Sequence, residues 1–104
     1  IQVKASSSAW RAYKRKDNQR KNHWEWDVGV KGRKLCGSSI FYAFVNMRGK
    51  KGIDGLVVPE VFVVPSEIVA DYLDRKMSRY IFWPRGSQRE QYYEAWHLIA
   101  DRLA

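Results

Sequence analysis

A chain of 104 residues with 45% hydrophobic and 14% aromatic content has room for one domain around one modest core, which excludes a two-domain enzyme and a wholly disordered chain. Cys36 is the single cysteine, so no intrachain disulfide framework exists. The formal net charge of +8 belongs to the first half: residues 1–52 carry 13 Lys and Arg against Asp17, Glu25 and Asp27, whereas residues 53–104 carry six against eight acids.

In chain order, Ile1, Val3 and Ala5 alternate with Gln2 and Lys4, the period-two pattern of a strand with one apolar face, and Ser6-Ser7-Ser8 ends it. Residues 11–22 follow as a basic loop in which Arg11, Lys14, Arg15, Lys16, Arg20 and Lys21 surround one acid, Asp17. That density of cations suits neutralisation of phosphates, and Trp10 and Tyr13 beside it are rings of the kind that stack on bases. From His23 to Lys31, Trp24, Trp26, Val28 and Val30 alternate with Glu25, Asp27 and Gly29. The tryptophans are therefore expected in the core and the two acids on a solvated strand face. Gly32-Arg-Lys marks a turn. Ser39 to Met47 is nearly continuously apolar and predicts a central strand covered on both faces; residues 49–55 then read as a turn-rich connection. Val61 to Val64, bracketed by Pro59 and Pro65, predicts a further strand.

Ser66 stands as the N-cap of a helix ending near Lys76, with Ile68, Val69, Tyr72 and Leu73 as its buried stripe. Tyr80 to Trp83, halted by Pro84, reads as an edge strand or a packed loop. Ser87 and Glu90 have capping-box spacing, and Tyr92, Trp96, Ile99 and Leu103 recur at helical spacing, predicting one continuous C-terminal helix. The series implies a single α/β (α+β) domain over residues 1–104, with a mixed sheet of about four strands and two helices packed against it. No apolar run approaches the roughly 20 residues of a membrane span, and Ile1 to Lys4 lacks the features of a signal peptide. With one cysteine, this points to a reducing, cytoplasmic setting.

Gln2 and Lys4 leave the same face of their strand, about 7 Å apart. That spacing suits phosphodiester hydrolysis: a side-chain oxygen and the carbonyl of Val3 can ligate Mg²⁺, while the ammonium orients the attacking water and offsets charge on the phosphorane. At these residues the chain resembles the PD-(D/E)xK nuclease superfamily. Ile1-Gln2-Val3-Lys4 is similar to its (E/Q)xK strand in the Gln-containing variant, and Phe41-Tyr-Ala-Phe-Val45 to the next core strand. Val61-Phe-Val-Val-Pro65-Ser66 is similar to the strand leading into the following helix, and Trp96 fits the same pattern. The resemblance implies a restriction-endonuclease-like fold, catalytic roles for Gln2 and Lys4, Mg²⁺ on Gln2 and the Val3 carbonyl, and DNA as partner.

The resemblance further implies an aspartate on the preceding strand as principal metal ligand, which would lie N-terminal of Ile1 with its helix and hairpin. Gln2 is neutral, so the matched positions offer Mg²⁺ no carboxylate, and the expectation is an endonuclease-like protein that is weakly active or inactive as this chain. Glu25 and Asp27, on the polar face of a neighbouring strand, are the acids that could supply the missing charge. The same residues admit a non-catalytic nucleic-acid-binding or interaction module that uses loop 11–22, and a homodimer formed through the exposed edge of strand 1–5.

Overall fold

The computed structural model describes residues 1–11, 22–29, 37–51, 57–73, 78–82 and 87–103. In chain order these form strands β1 (Gln2–Ser6), β2 (Trp10–Arg11), β3 (His23–Asp27), β4 (Phe41–Lys51) and β5 (Val57–Pro65), helix α1 (Ser66–Leu73), strand β6 (Arg79–Phe82), and helices α2 (Gln88–Tyr92) and α3 (His97–Leu103). The arrangement is mixed α+β. It differs from one four-stranded sheet with two helices: the described strands form two three-stranded sheets, ordered β1-β4-β5 and β2-β3-β6, accompanied by three short helices. In the first sheet β1 runs parallel and β5 antiparallel to β4; the second sheet is antiparallel throughout. Two sheets form because β3 takes β2 and β6 as neighbours, and β2 is only two residues long, too short for any periodicity to announce it.

The alternation of Trp24 and Trp26 does put them inside. Both are buried with Phe44, Phe62, Tyr42, Val64 and Tyr80 in one core between the sheets, which Val69 and Leu73 of α1 and Tyr92 of α2 complete. The rings meet closely: Trp26 lies 5.2 Å from Phe44 and 5.7 Å from Phe62, and Phe44 stacks on Tyr80 at 5.1 Å. Such pairs contribute about 0.5–1.5 kcal/mol each beyond the area they bury. On the other side of the first sheet, Phe41 and Val63 are buried against Ala95, Leu98 and Ile99. The central strand is thus covered on both faces at Phe41 to Phe44, as its unbroken apolar run requires.

The apolar face of β1 lies opposite to the side its pattern suggests. Register decides this: Gln2, Lys4 and Ser6 pair with Tyr42, Phe44 and Asn46, whereas Val3 and Ala5 pair with Ala43 and Val45. The polar set therefore shares the face of the main core, and Ile1 and Val3 stay about two-thirds exposed.

β4 extends into the expected turn at residues 49–51, β5 begins at Val57, ahead of the expected strand, and their register shifts between the Asn46–Glu60 and Lys50–Val58 pairs. Pro59 lies at that irregularity, where a missing N–H costs no ladder bond. Gly49 lies opposite it, and a Cβ there would overlap the Val58 carbonyl and come within 2.9 Å of the Glu60 amide nitrogen. Gly49→Ala is expected to destabilise the domain by about 1–3 kcal/mol, visible as a lower urea midpoint.

Helix α1 begins at Ser66, which is fully buried and fastens a loop: its hydroxyl accepts from the Gly37 amide and donates to the Gly37 carbonyl, both at 3.0 Å. Val69 and Leu73 are the buried stripe, Tyr72 is partly buried and Ile68 is exposed. The C-terminal helix is broken in two. Tyr93 forms a bridge to Phe62 and the Glu94 amide donates to the Val61 carbonyl at 2.8 Å, so this segment leaves helical geometry to bond the outer edge of β5. Glu94 takes a left-handed φ of 46° in the process. Ser87 makes no side-chain capping bond, and Trp96 is half-exposed, since the break turns it out of the stripe. Arg102 anchors α3 to α1 through Glu67 at 2.9 Å and to the Ser38 carbonyl at 3.0 Å. The expected strand end at Lys31, the helix end at Lys76, Trp83 and Cys36 lie outside the described residues. No helix among the described residues is long and apolar enough to cross a membrane.

Candidate nucleic-acid interface

The face carrying Gln2 and Lys4 changes character along the sheet. Its first two rows are Gln2–Tyr42–Val64 and Lys4–Phe44–Phe62, and its third is Ser6–Asn46–Glu60. Gln2 is exposed, and Lys4 is half-buried in register with Phe44, a placement a lysine tolerates because its stem is apolar and its ammonium polar. The geometry thus brings Gln2 and Lys4 to one face of a strand whose outer edge pairs with no other described strand.

The donor set for Mg²⁺ at this place is the Gln2 amide oxygen and the Val3 carbonyl, two neutral oxygens. Mg²⁺ asks for octahedral oxygen coordination and ordinarily for at least one carboxylate. Among the described residues no group of three or more His, Cys, Asp and Glu converges. The residues present therefore do not fit Mg²⁺ unaided.

Neither acid of β3 fills the gap. Glu25 is not on a solvated face: it is 6% exposed and gathered into a charge cluster. Its carboxylate bonds His23 Nε2 at 2.8 Å and Arg79 at 3.0 Å, with Arg11 Nε at 3.8 Å. Burial alone would raise its pKa; the His23 hydrogen bond and the charges of Arg11, Arg79 and His23 outweigh that and hold the carboxyl below its ordinary value. Alternation with Trp24 and Trp26 turns it away from the core face. Asp27 is exposed and accepts the Gly29 amide at 3.1 Å, which supports a turn in which Gly29 has a φ of 78°.

Of the basic segment, Arg11 falls in β2 and is partly committed to Glu25, so it is no simple loop cation. Lys14, Arg15, Lys16, Arg20 and Lys21 lie outside the described residues. What sequence reasoning missed is Glu60. It is 5% exposed, accepts the Asn46 side-chain amide at 3.0 Å and pairs with Arg89 at 3.2 Å. Arg89 in turn lies over the rings of Trp24 at 5.9 Å and Tyr93 at 5.0 Å. Glu60 follows Pro59 in a segment read as lying before the strand, so no alternation marked it; only its pairing with Asn46 puts it on the Lys4 face.

No protein-family model matches the chain, and no curated protein or solved structure matches it. Function therefore rests on the residues themselves.

Proposed function

We propose that this is an endonuclease-like DNA-binding protein that meets the phosphate backbone with the Gln2/Lys4 face of β1 and the basic segment 11–22, and that does not cleave efficiently on these residues alone. The observation that carries the reading is the pair itself: Gln2 and Lys4 on one face of a strand whose outer edge pairs with no other described strand, in register with the aromatic core residues Tyr42 and Phe44, in the half of the chain that holds the whole positive excess. The restriction-endonuclease-like fold is part of the same proposal; a parallel β1–β4 pair followed by antiparallel β5 and α1 supports it. Mg²⁺-dependent hydrolysis would need a carboxylate, which neither the Gln2 amide nor the Val3 carbonyl supplies. The outer edge of β1, which pairs with no other described strand, and the exposed Ile1 and Val3 also suit pairing with a second copy, which static light scattering would read as a doubled mass.

The test combines binding and cleavage. DNA affinity should fall steeply with salt, and Lys4→Ala should weaken it several-fold at low salt, because one phosphate-facing cation is lost. Supercoiled plasmid incubated with Mg²⁺ should stay largely intact. Rapid nicking that Lys4→Ala abolishes would overturn the claim of an incomplete site and establish a working nuclease. Affinity that ignores Lys4 but falls with salt would favour the non-catalytic module centred on residues 11–22. Binding indifferent to salt would remove nucleic acid from consideration.

A further inference from the structure

Beyond the strand that carries Lys4, a pocket of about 410 Å³ opens between the two sheets, lined among others by Ser7, Ser8, Trp10, Asn46, Arg48 and Glu60. This is within the range of roughly 300–1,000 Å³ typical of small-ligand sites. Resting on the nucleic-acid reading above, we infer that this pocket receives one unpaired base of a single DNA strand whose backbone passes Lys4.

The pocket has three chemically distinct parts. Its wall is Trp10, 39% exposed and backed by Trp24 at a ring distance of 4.6 Å, so a broad aromatic surface is held in place for stacking. Its floor is the Asn46–Glu60 pair, fixed from behind by Arg89. The Glu60 carboxylate accepts from both Asn46 and Arg89, so the floor is built of acceptor oxygens that suit the N–H donors on a base edge. Its rim carries the exposed Arg48 and the hydroxyls of Ser7 and Ser8, groups of the kind that hold backbone phosphates. A cationic ligand would meet Arg48 on entry, and a phosphate inside would find acceptor oxygens on Glu60. A planar base with donors on its edge and an anionic linkage behind it conflicts with neither.

Position agrees with the chemistry. The Ser6–Asn46 pair at the pocket lies two residues beyond the Lys4–Phe44 pair on the same face, about 7 Å along the strand. A nucleotide whose base enters the pocket thereby brings the adjoining backbone alongside Lys4.

The experiment compares a short single-stranded DNA with the same strand made abasic, both titrated by fluorescence anisotropy at low salt against the wild-type chain and Trp10→Ala. The base-bearing strand should bind the wild type about 5- to 100-fold more tightly, the range one stacked base supplies. Trp10→Ala should lose most of that difference while keeping its affinity for the abasic strand. Equal affinity of the wild type for both strands would overturn the pocket assignment and leave the DNA-binding reading standing. Failure to bind either strand would overturn both. Because the decisive comparison is made on the wild-type chain, it does not depend on the variant folding.

Discussion

Replacing Trp26 by alanine is expected to cost about 3–5 kcal/mol, a large part of the 5–15 kcal/mol that holds a domain of this size together. The indole is 2% exposed, at the point where both sheets converge. It touches Phe44 and Phe62 across the core, and its Nε1 donates to the Val45 carbonyl at 3.0 Å, tying β3 of one sheet to β4 of the other. Alanine would remove the packing and the bond together and leave a void that flanking rings, already in contact, cannot close. Trp26→Phe should retain most of the packing and lose the hydrogen bond, at a cost nearer 1–2 kcal/mol. Urea unfolding of both variants measures the two contributions. A Trp26→Ala midpoint within error of wild type would show that the sheets do not pack as described.

The second large effect is expected at Glu25. Glu25→Ala removes the carboxylate that bonds His23 and Arg79 and pairs with the Arg11 charge, and deleting one partner of a buried ion pair ordinarily costs about 3–5 kcal/mol. The cost here should lie near the lower end, because the Arg11 and Arg79 side chains are 43% and 59% exposed and can return to water, whereas His23 is enclosed. The same site sets a pH dependence. With its folded-state pKa held below the ordinary value of 4.5, the carboxylate contributes stability that is complete above that value and fades as pH falls through the depressed one. The wild type should lose stability on acidification below about 4.5, and Glu25→Gln should flatten that part of the profile. Identical acid limbs for the two proteins would show that this carboxyl is not the group responsible.

Where one residue type repeats at a clear period, the fold was legible. Trp24, Trp26 and Val28 were recognisable as core from their alternation, and the unbroken run through Phe41, Tyr42, Ala43 and Phe44 as a strand covered twice, because both patterns record burial directly. The C-terminal helix breaks in two for a physical reason. Tyr92, Trp96 and Ile99 have helical spacing, but the edge of β5 offers Tyr93 and Glu94 backbone partners that a helix would forgo. Glu25 departs from its pattern similarly: a polar position on a strand is solvated only when nothing charged folds over it, and Arg79 reaches it from 54 residues away in sequence.

The candidate site divides in the same manner. Gln2 and Lys4 share a face by the two-residue period of any strand, and the concentration of positive charge in the first half is fixed by composition. Which side of the sheet that face occupies was decided by the parallel register of β1 on β4, a long-range pairing that no local pattern encodes. The same register sets Asn46 and Glu60 in the row after Lys4 and, with Trp10 brought across by β2, encloses the pocket. The chain's own order determined the strands that carry a clear period, the aromatic core and a basic half suited to phosphates. Tertiary structure alone decided where the carboxylates went, because a buried charge settles wherever cations from distant segments converge on it.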